Sequence, residues 1–444
     1  MRILRRLLAV LILPILVVLT TVIGGTGVIV MTQPGHALLA RIATSWITAA
    51  AAGTVEIGEI KGNLWDAIEL NHVAIHDSAG NLVLQAAHVE ARYILPDLFR
   101  RRQLFRNVQV DSLVLHLVRL RPTTQFPQGH WNWEKVFHLG EGPDNGLPPP
   151  QMAFYSLRLT NAFVQVDAPT TPGERHKPIS RHGAAPAQDS VVRSADGPVR
   201  IYTIRNLNAY FDSLRLSTPR HDPIFIRVES LRGNLSDPAI DITRMKGTIL
   251  TAADTLRFKF DSVSLPSSLF IGDGRVRWPH DSLQFDLALV SPQVALRDLW
   301  WIQPDLPDWT GKGRITSHAF NGSRTDYKLE NLVLGDARSS TTGNIRLQVE
   351  RVHGLGMRDG DLQLQNVPID VLRPYLDTLP VSGDLTGHLL VDGFLDAMHL
   401  GGDVVFADRL VRGTPTSHLR IDGVVHFGGA EGAVFERFRL NQSA

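Results

Sequence analysis

The sequence predicts a mainly β protein: one long, curled, repeating antiparallel sheet with short helical connectors, tethered by a single N-terminal transmembrane helix. Three observations carry that expectation. Apolar and polar residues alternate with a period of two through most of the chain after Val55, and turn-forming residues recur between the alternating runs. A block containing a Leu-Arg start, a Leu-Pro step and a glycine followed by a strand occurs twice, with Leu299 and Leu372 offset by 73 residues. Composition is compatible with this. The 444 residues are 43% hydrophobic and 20% charged, the balance of a folded chain. With no cysteine there is no disulfide framework, thiolate zinc site or thiol nucleophile. Forty-five basic residues against 44 acidic ones give a formal charge of +1 and no electrostatic case for nucleic acid.

The N-terminus comes first. Arg2, Arg5 and Arg6 precede an apolar stretch from Leu7 to Val30. As a helix it measures roughly 36 Å, enough to cross a hydrocarbon core of about 30 Å. Leu7, Leu11, Ile15, Leu19, Ile23 and Val30 are its expected lipid-facing anchors. A cleaved signal would have a shorter apolar region, and the arginines should hold residues 1–30 as a cytoplasmic tip and anchor, with everything after about residue 31 on the far side. Residues 31–54 read as an amphipathic helix or linker, from the spacing of Leu38, Leu39, Ile42, Trp46 and Ile47.

From residue 55 to 444 the expectation is a repeating body of about twenty strands. Leu256, Phe258 and Phe260 alternate with Arg257, Lys259 and Asp261, and Leu283, Phe285, Leu287 and Leu289 with Gln284, Asp286 and Ala288. Ile345, Leu347 and Val349 share one parity, as do Leu362 with Leu364, and Leu385 with Leu389 and Val391. Each run has one wet and one apolar face. Helix-like connectors are expected at Pro96–Leu104, Trp133–Leu139, Val294–Ile302 and Ile369–Asp377, and loops at 121–151 and 168–198, the latter disordered. Phe435–Leu440 reads as mid-strand with nothing to cap it, so the natural chain is expected to continue beyond Ala444.

Chemistry is sparse. Neither a nucleophile elbow nor a phosphate loop, zincin motif or calcium loop occurs. His72 and His76 sit four apart, but in a strand-like run on the polar parity, which makes them solvent-facing residues rather than ligands. Asp359, Asp361, Asp370 and Asp384 fall at turns and wet faces, and Trp300 and Trp301 read as packing of a connector. No catalytic residue, metal or cofactor is expected. The remaining feature is the summed apolar strand faces. Either two sheets bury these faces against each other, or one curled sheet leaves its face partly open to apolar ligands. Repetitive growth, the scarcity of covering helices and the membrane anchor favour the second. At about 4.8 Å per strand, twenty strands would make a groove of roughly 95 Å.

A resemblance then emerges. Thr32–Gly35, the run Val55–Leu64, Leu70–Gly80, Leu82–Arg92, Leu95–Leu98, Val108–Leu115, Gly129–Trp133 and the Leu379–Pro380…Gly383–Gly387…Asp392–Gly393 pattern resemble TamB and the wider AsmA-like family. The resemblance is clearest over residues 1–120. It implies a periplasmic β-taco repeat protein, single-pass in the inner membrane of a diderm bacterium, conducting phospholipid toward the outer membrane without catalysis. It also implies outer-membrane protein assembly with a TamA-like barrel as the alternative role, although the family's partner-docking C-terminal domain has no match here.

Overall fold

The computed structural model describes residues 53–62, 66–77, 79–94, 102–121, 130–132, 151–169, 191–194, 197–217, 224–237, 239–252, 255–277, 284–301, 306–320, 323–350, 353–372, 382–410, 415–429 and 432–443. The expected span over residues 7–30, its flanking arginines and residues 31–52 lie outside them, as do the expected connector 133–139 and most of both expected loops. Among the described residues, no helix is long and apolar enough to cross a membrane. Among the described residues the architecture is mainly β, with almost no helix, as the alternation predicts. The strands fall into two compact units that part near residue 223.

In the first unit, β1 (Gly53–Lys61), β2 (Ala67–Asp77) and β3 (Leu82–Tyr93) form an antiparallel meander. Val55, Val73, Ile75 and Val83 make its buried cluster. Next to β3 run β4 (Arg102–Asp111) and β5 (Val114–Leu120), two halves of one line broken at Ser112, whose φ of 54° lies in the left-handed region. The long β7 (Gln151–Pro169) pairs in parallel with β4 and then β5, and antiparallel with β9 (Gly197–Ser217) on its other edge. A second buried cluster of Ala91, Val108 and Leu157 lies here, with Phe105 and Phe154 stacked at 5.3 Å.

Several expectations need correction in this unit. Gly53 and Thr54 begin β1 rather than ending a linker, because they pair with Asp77 and His76. Residues 102–104 belong to β4, since they pair with Gln151, Met152 and Ala153 of β7. The expected loops also contain strand. The short β6 (His130–Trp131) pairs with Arg119 and Leu120 of β5, and β8 (Val191–Ser194) forms a hairpin with β9. Asn132 explains the Gly129–Trp133 motif. Its Oδ1 accepts Val118 N–H at 3.0 Å and its Nδ2 donates to His116 O at 2.9 Å, so the buried amide stands in for one more peptide of β6.

The second unit comprises β10 (Ile224–Ser236), β11 (Ala239–Ala252), β12 (Thr255–Ser264), β13 (Leu269–Arg277), β14 (Gln284–Ala295), β15 (Thr310–Phe320), β16 (Arg324–Gly335), β17 (Ser340–Glu350), β18 (Gly354–Pro368), β19 (Gly383–Phe394), β20 (Ala397–Asp408), β21 (Thr416–Gly429) and β22 (Gly432–Ser443). Each is antiparallel to the next. The repeat has a structural counterpart. Single-turn 3-10 helices at Leu296–Leu299 and Ile369–Leu372 stand 73 residues apart, as do the strands that follow them, starting at Thr310 and Gly383. Four strands separate the two turns. Among the described residues, a single turn is helical in each of the connectors expected at Val294–Ile302 and Ile369–Asp377, and residues 302 and 373–377 lie outside the description. The first is tied to the preceding hairpin, where Asp298 accepts Ser267 N–H at 2.9 Å and Arg297 donates to Ser267 Oγ at 2.7 Å. Trp300 is held inside its own connector, Nε1 donating to Leu306 O at 2.9 Å.

A line of β-bulges crosses this unit. At one level β10, β12, β14, β16 and β18 each hold an extra residue relative to their neighbours, for example between Phe260 and Val263, and between Leu329 and Leu332, while β11 and β18 carry a further irregularity each, between Ile242 and Met245 and between Leu364 and Val367. Bulges bend their strand and raise its twist. Asn331 and Asp359 occupy bulges with φ of 53° and 50°, a conformation that Asn and Asp tolerate best after glycine. The Asn331 N–H left without a ladder partner donates to Asn344 Oδ1 at 2.8 Å.

Candidate functional site: the uncharged face of the second unit

Register places the expected groove residues on one face. One transverse row runs through Ile226, Ile249, Phe258, Gly274, Leu287, Ser317, Tyr327, Leu347, Met357, Gly393, Met398, Val425 and Phe435, one residue from each of the thirteen strands. The neighbouring row contains Val228, Gly247, Phe260, Gly272, Leu289, Ile315, Leu329 and Ile345. Across the bulges, Leu332, Gly343, Leu362, Leu389, Gly402, Ile421 and Leu440 form a third row. A fourth joins Val294, Gly311, Leu334, Thr341, Leu364, Gly387, Val404 and Leu419. None of these positions carries a charge.

Leu256, Val349, Leu385 and Val391 lie on the same face in flanking rows, paired with Val276, Leu355, Phe406 and Leu400. Leu283 lies outside the described residues. Of the fourteen expected residues that are described, Ile345, Leu364 and Val391 are buried, Val349 is 44% exposed, and the other ten are half-buried. Sequence reasoning missed Ile249, Ile315, Leu329, Met357, Met398 and Val404, which share these rows. It also missed the glycines, whose shared parity was the available signal. Gly274 leaves room for the Phe258 ring: a Cβ there would sit 2.5 Å from Phe258 Cζ and 2.8 Å from Leu287 Cδ2. Phe258 stacks on Phe260 with centroids 4.6 Å apart. Tyr327, tilted against Phe285 at 6.5 Å, has its hydroxyl pKa pushed up by burial.

The opposite face is ionic. Arg257, Arg275, Asp286, His318 and Asp326 occupy successive strands in one row. Asp286 accepts from Arg275 at 2.7 Å and contacts His318, and these partners hold its carboxyl below the usual range. Lys246 lies 2.7 Å from Glu229 and holds that carboxyl low in the same way. The aspartates expected at turns and wet faces have local partners there. Asp359 pairs with Arg346, Asp361 with His388 at 2.7 Å, and Asp384 accepts from Nε and Nη2 of Arg409, while Asp370 accepts from Ser382 Oγ at 3.3 Å. In the first unit His72 is exposed, with a φ of 55°. Among the described residues no group of three metal-binding side chains comes together.

These features define a wide amphipathic antiparallel sheet with one uncharged and one ion-paired face. Comparison with protein-family models, curated proteins and solved structures finds no match for the chain.

Proposed function

We propose that the uncharged face of β10–β22 holds the acyl chains of amphiphilic lipid and lets them pass across the sheet, making the protein a non-enzymatic lipid conduit. The observation that carries this reading is the half-exposure of most of the expected groove residues on a face without charge. In a two-sheet sandwich, inward-facing Leu and Phe of central strands would be fully covered. Along a half-exposed apolar surface each methylene that a guest buries contributes about 0.8 kcal/mol, while its headgroup stays in water. Many similar Leu, Ile, Val and Phe sites hold a chain without trapping it. Twelve strand-to-strand steps of about 4.8 Å span about 58 Å, and the line of bulges supplies bends that would curl the sheet into a trough.

The resemblance to TamB and the AsmA-like family supplies the setting of the proposal. The expected anchor places the protein in an inner membrane with its body in the periplasm, phospholipid as cargo and the outer membrane as destination. A scaffold role in outer-membrane protein assembly, with a TamA-like barrel as partner, is the second reading. The first unit favours it, since its apolar residues close into two buried clusters.

Site-specific photocrosslinking tests the conduit. A photoreactive residue at Phe258 or Leu347 should capture phospholipid, and one at Lys259 or Arg346 on the ionic face should not. Equal capture at both faces would remove the conduit reading.

A further inference from the structure

The long row of Ile, Phe, Leu, Met, Val and Gly is interrupted at one place by two hydroxyls. Ser317 and Tyr327 are direct cross-strand partners on β15 and β16, between Leu287 and Leu347. Opposed side chains in such a pair have Cβ atoms about 4.5–5.5 Å apart. The Ser317 side chain is 5% exposed and its Oγ has no hydrogen-bond partner. Buried hydroxyls are normally paired, and a lone one destabilises the fold that contains it. Tyr327 is half-buried, and its hydroxyl makes no hydrogen bond among the described residues. It is the only tyrosine described in this unit. Two adjacent hydroxyls therefore have hydrogen-bonding capacity that the fold does not use, in a row that otherwise offers a guest only dispersion and burial.

We propose that Ser317 and Tyr327 form a hydrogen-bonding station within the trough that recognises an ester carbonyl of the bound amphiphile. The inference rests on the conduit reading and names the chemistry its cargo must present. The Tyr327 O–H, nearer to solvent, donates to the carbonyl oxygen, and the Ser317 O–H supplies a second donor once the phenol turns aside. Leu287 and Leu347 flank the station and receive the chain on either side. Such a station favours acyl esters over plain hydrocarbon of equal length, and it registers each lipid at one point along the row.

The test uses the full chain, its Tyr327→Phe and Ser317→Ala variants, and two fluorescent probes of equal length: pyrene-tagged hexadecane and the methyl ester of pyrene-tagged hexadecanoic acid. Wild type should bind the ester about fivefold more tightly than the hydrocarbon, the value of one net hydrogen bond, and the ester carbonyl stretch should fall in frequency on binding. Tyr327→Phe should abolish the preference and shrink the frequency shift, and Ser317→Ala should reduce the preference in part. Equal preference in wild type and both variants, with an unshifted carbonyl band, would overturn the station and leave the conduit standing. Failure of wild type to bind either probe would overturn the conduit itself.

Discussion

Leu347→Glu measures directly whether the uncharged face is open. Leu347 sits mid-row between Tyr327 and Met357 and is half-buried. Burying a leucine completely is worth about 1.5–3 kcal/mol, so a half-buried one loses about 1–1.5 kcal/mol on truncation. The new carboxylate keeps contact with water and adds little. The control is Val404→Glu, on the same face between Gly387 and Leu419 but only 3% exposed. There the lost burial combines with an unpaired charge out of water, and the cost should exceed about 4 kcal/mol. For a unit of this size 1 kcal/mol moves Tm by about 2–4 °C, so the two variants should separate clearly in a thermal melt. Lipid recovered with purified Leu347→Glu should fall although the protein still folds. A Leu347→Glu loss as large as that of Val404→Glu would refute the reasoning, because Leu347 would then lie in a dry, packed core.

Three further outcomes follow from particular contacts. Gly272→Ala should cost about 3 kcal/mol or more in urea unfolding, since its φ is 154° and an added Cβ would lie 2.0 Å from Ala288 O, whereas Gly274→Ala meets only side-chain ends and should cost about 1–2 kcal/mol. Asn132→Ala strands the N–H of Val118 and the carbonyl of His116 and should cost about 2 kcal/mol, and Asn132→Asp, which keeps the acceptor but not the donor, should be no better than intermediate; equal stability of all three would deny Asn132 its bridging role. For pH, Asp286 has a lowered folded pKa, so its contribution is present above the unfolded value near 3.9 and is lost as pH falls through the folded one; His426, raised by its contacts to Asp396 O and Glu436, contributes below about 6.5 and loses that contribution as pH rises through its folded value. Asp286→Asn should accordingly flatten the acid limb of Tm against pH, and His426→Ala the limb on the alkaline side of the ordinary imidazole value.

The alternation around Phe258, Leu287 and Leu347 was legible because each strand has one ion-paired and one uncharged face, and period-two patterning registers that directly. The half of each strand beyond its bulge was less so. In β16 the apolar positions run Tyr327, Leu329 and then Leu332, Leu334, and in β12 Phe260 is followed by Val263. An i to i+3 step inside a period-two run is the trace of an extra residue, and reading past it would have recovered Leu332, Leu334 and Val263. The parallel pairing of β7 with β4 and β5 had no such local trace, since partner choice across an intervening segment of about thirty residues depends on distant chain. Ser317 and Tyr327 each look like an ordinary strand residue in sequence. Only the register that sets them opposite each other makes them a pair.

The bulges also explain how so wide a face can stay uncharged. Slipping one residue in a strand sends every later side chain to the other face. An extra residue in β16 alone would therefore turn Leu332 and Leu334 toward the ionic side unless the sequence changed parity there, which it does. The neighbours β15 and β17 keep a constant parity through Gly311, Gly313 and Ile315, and through Thr341, Gly343 and Ile345. Bent and straight strands thus alternate, and each bulged strand carries its own compensating shift from Tyr327–Leu329 to Leu332–Leu334 or from Phe260 to Val263. Across the repeat, β14 and β18 end alike in a one-turn helix before the next straight strand at Thr310 or Gly383. A face buried in a two-layer core specifies register just as strongly, so the compensation serves any sheet that keeps one face apolar. Parity maintained from β10 to β19 through those bulges keeps the uncharged face continuous, which the proposed conduit needs.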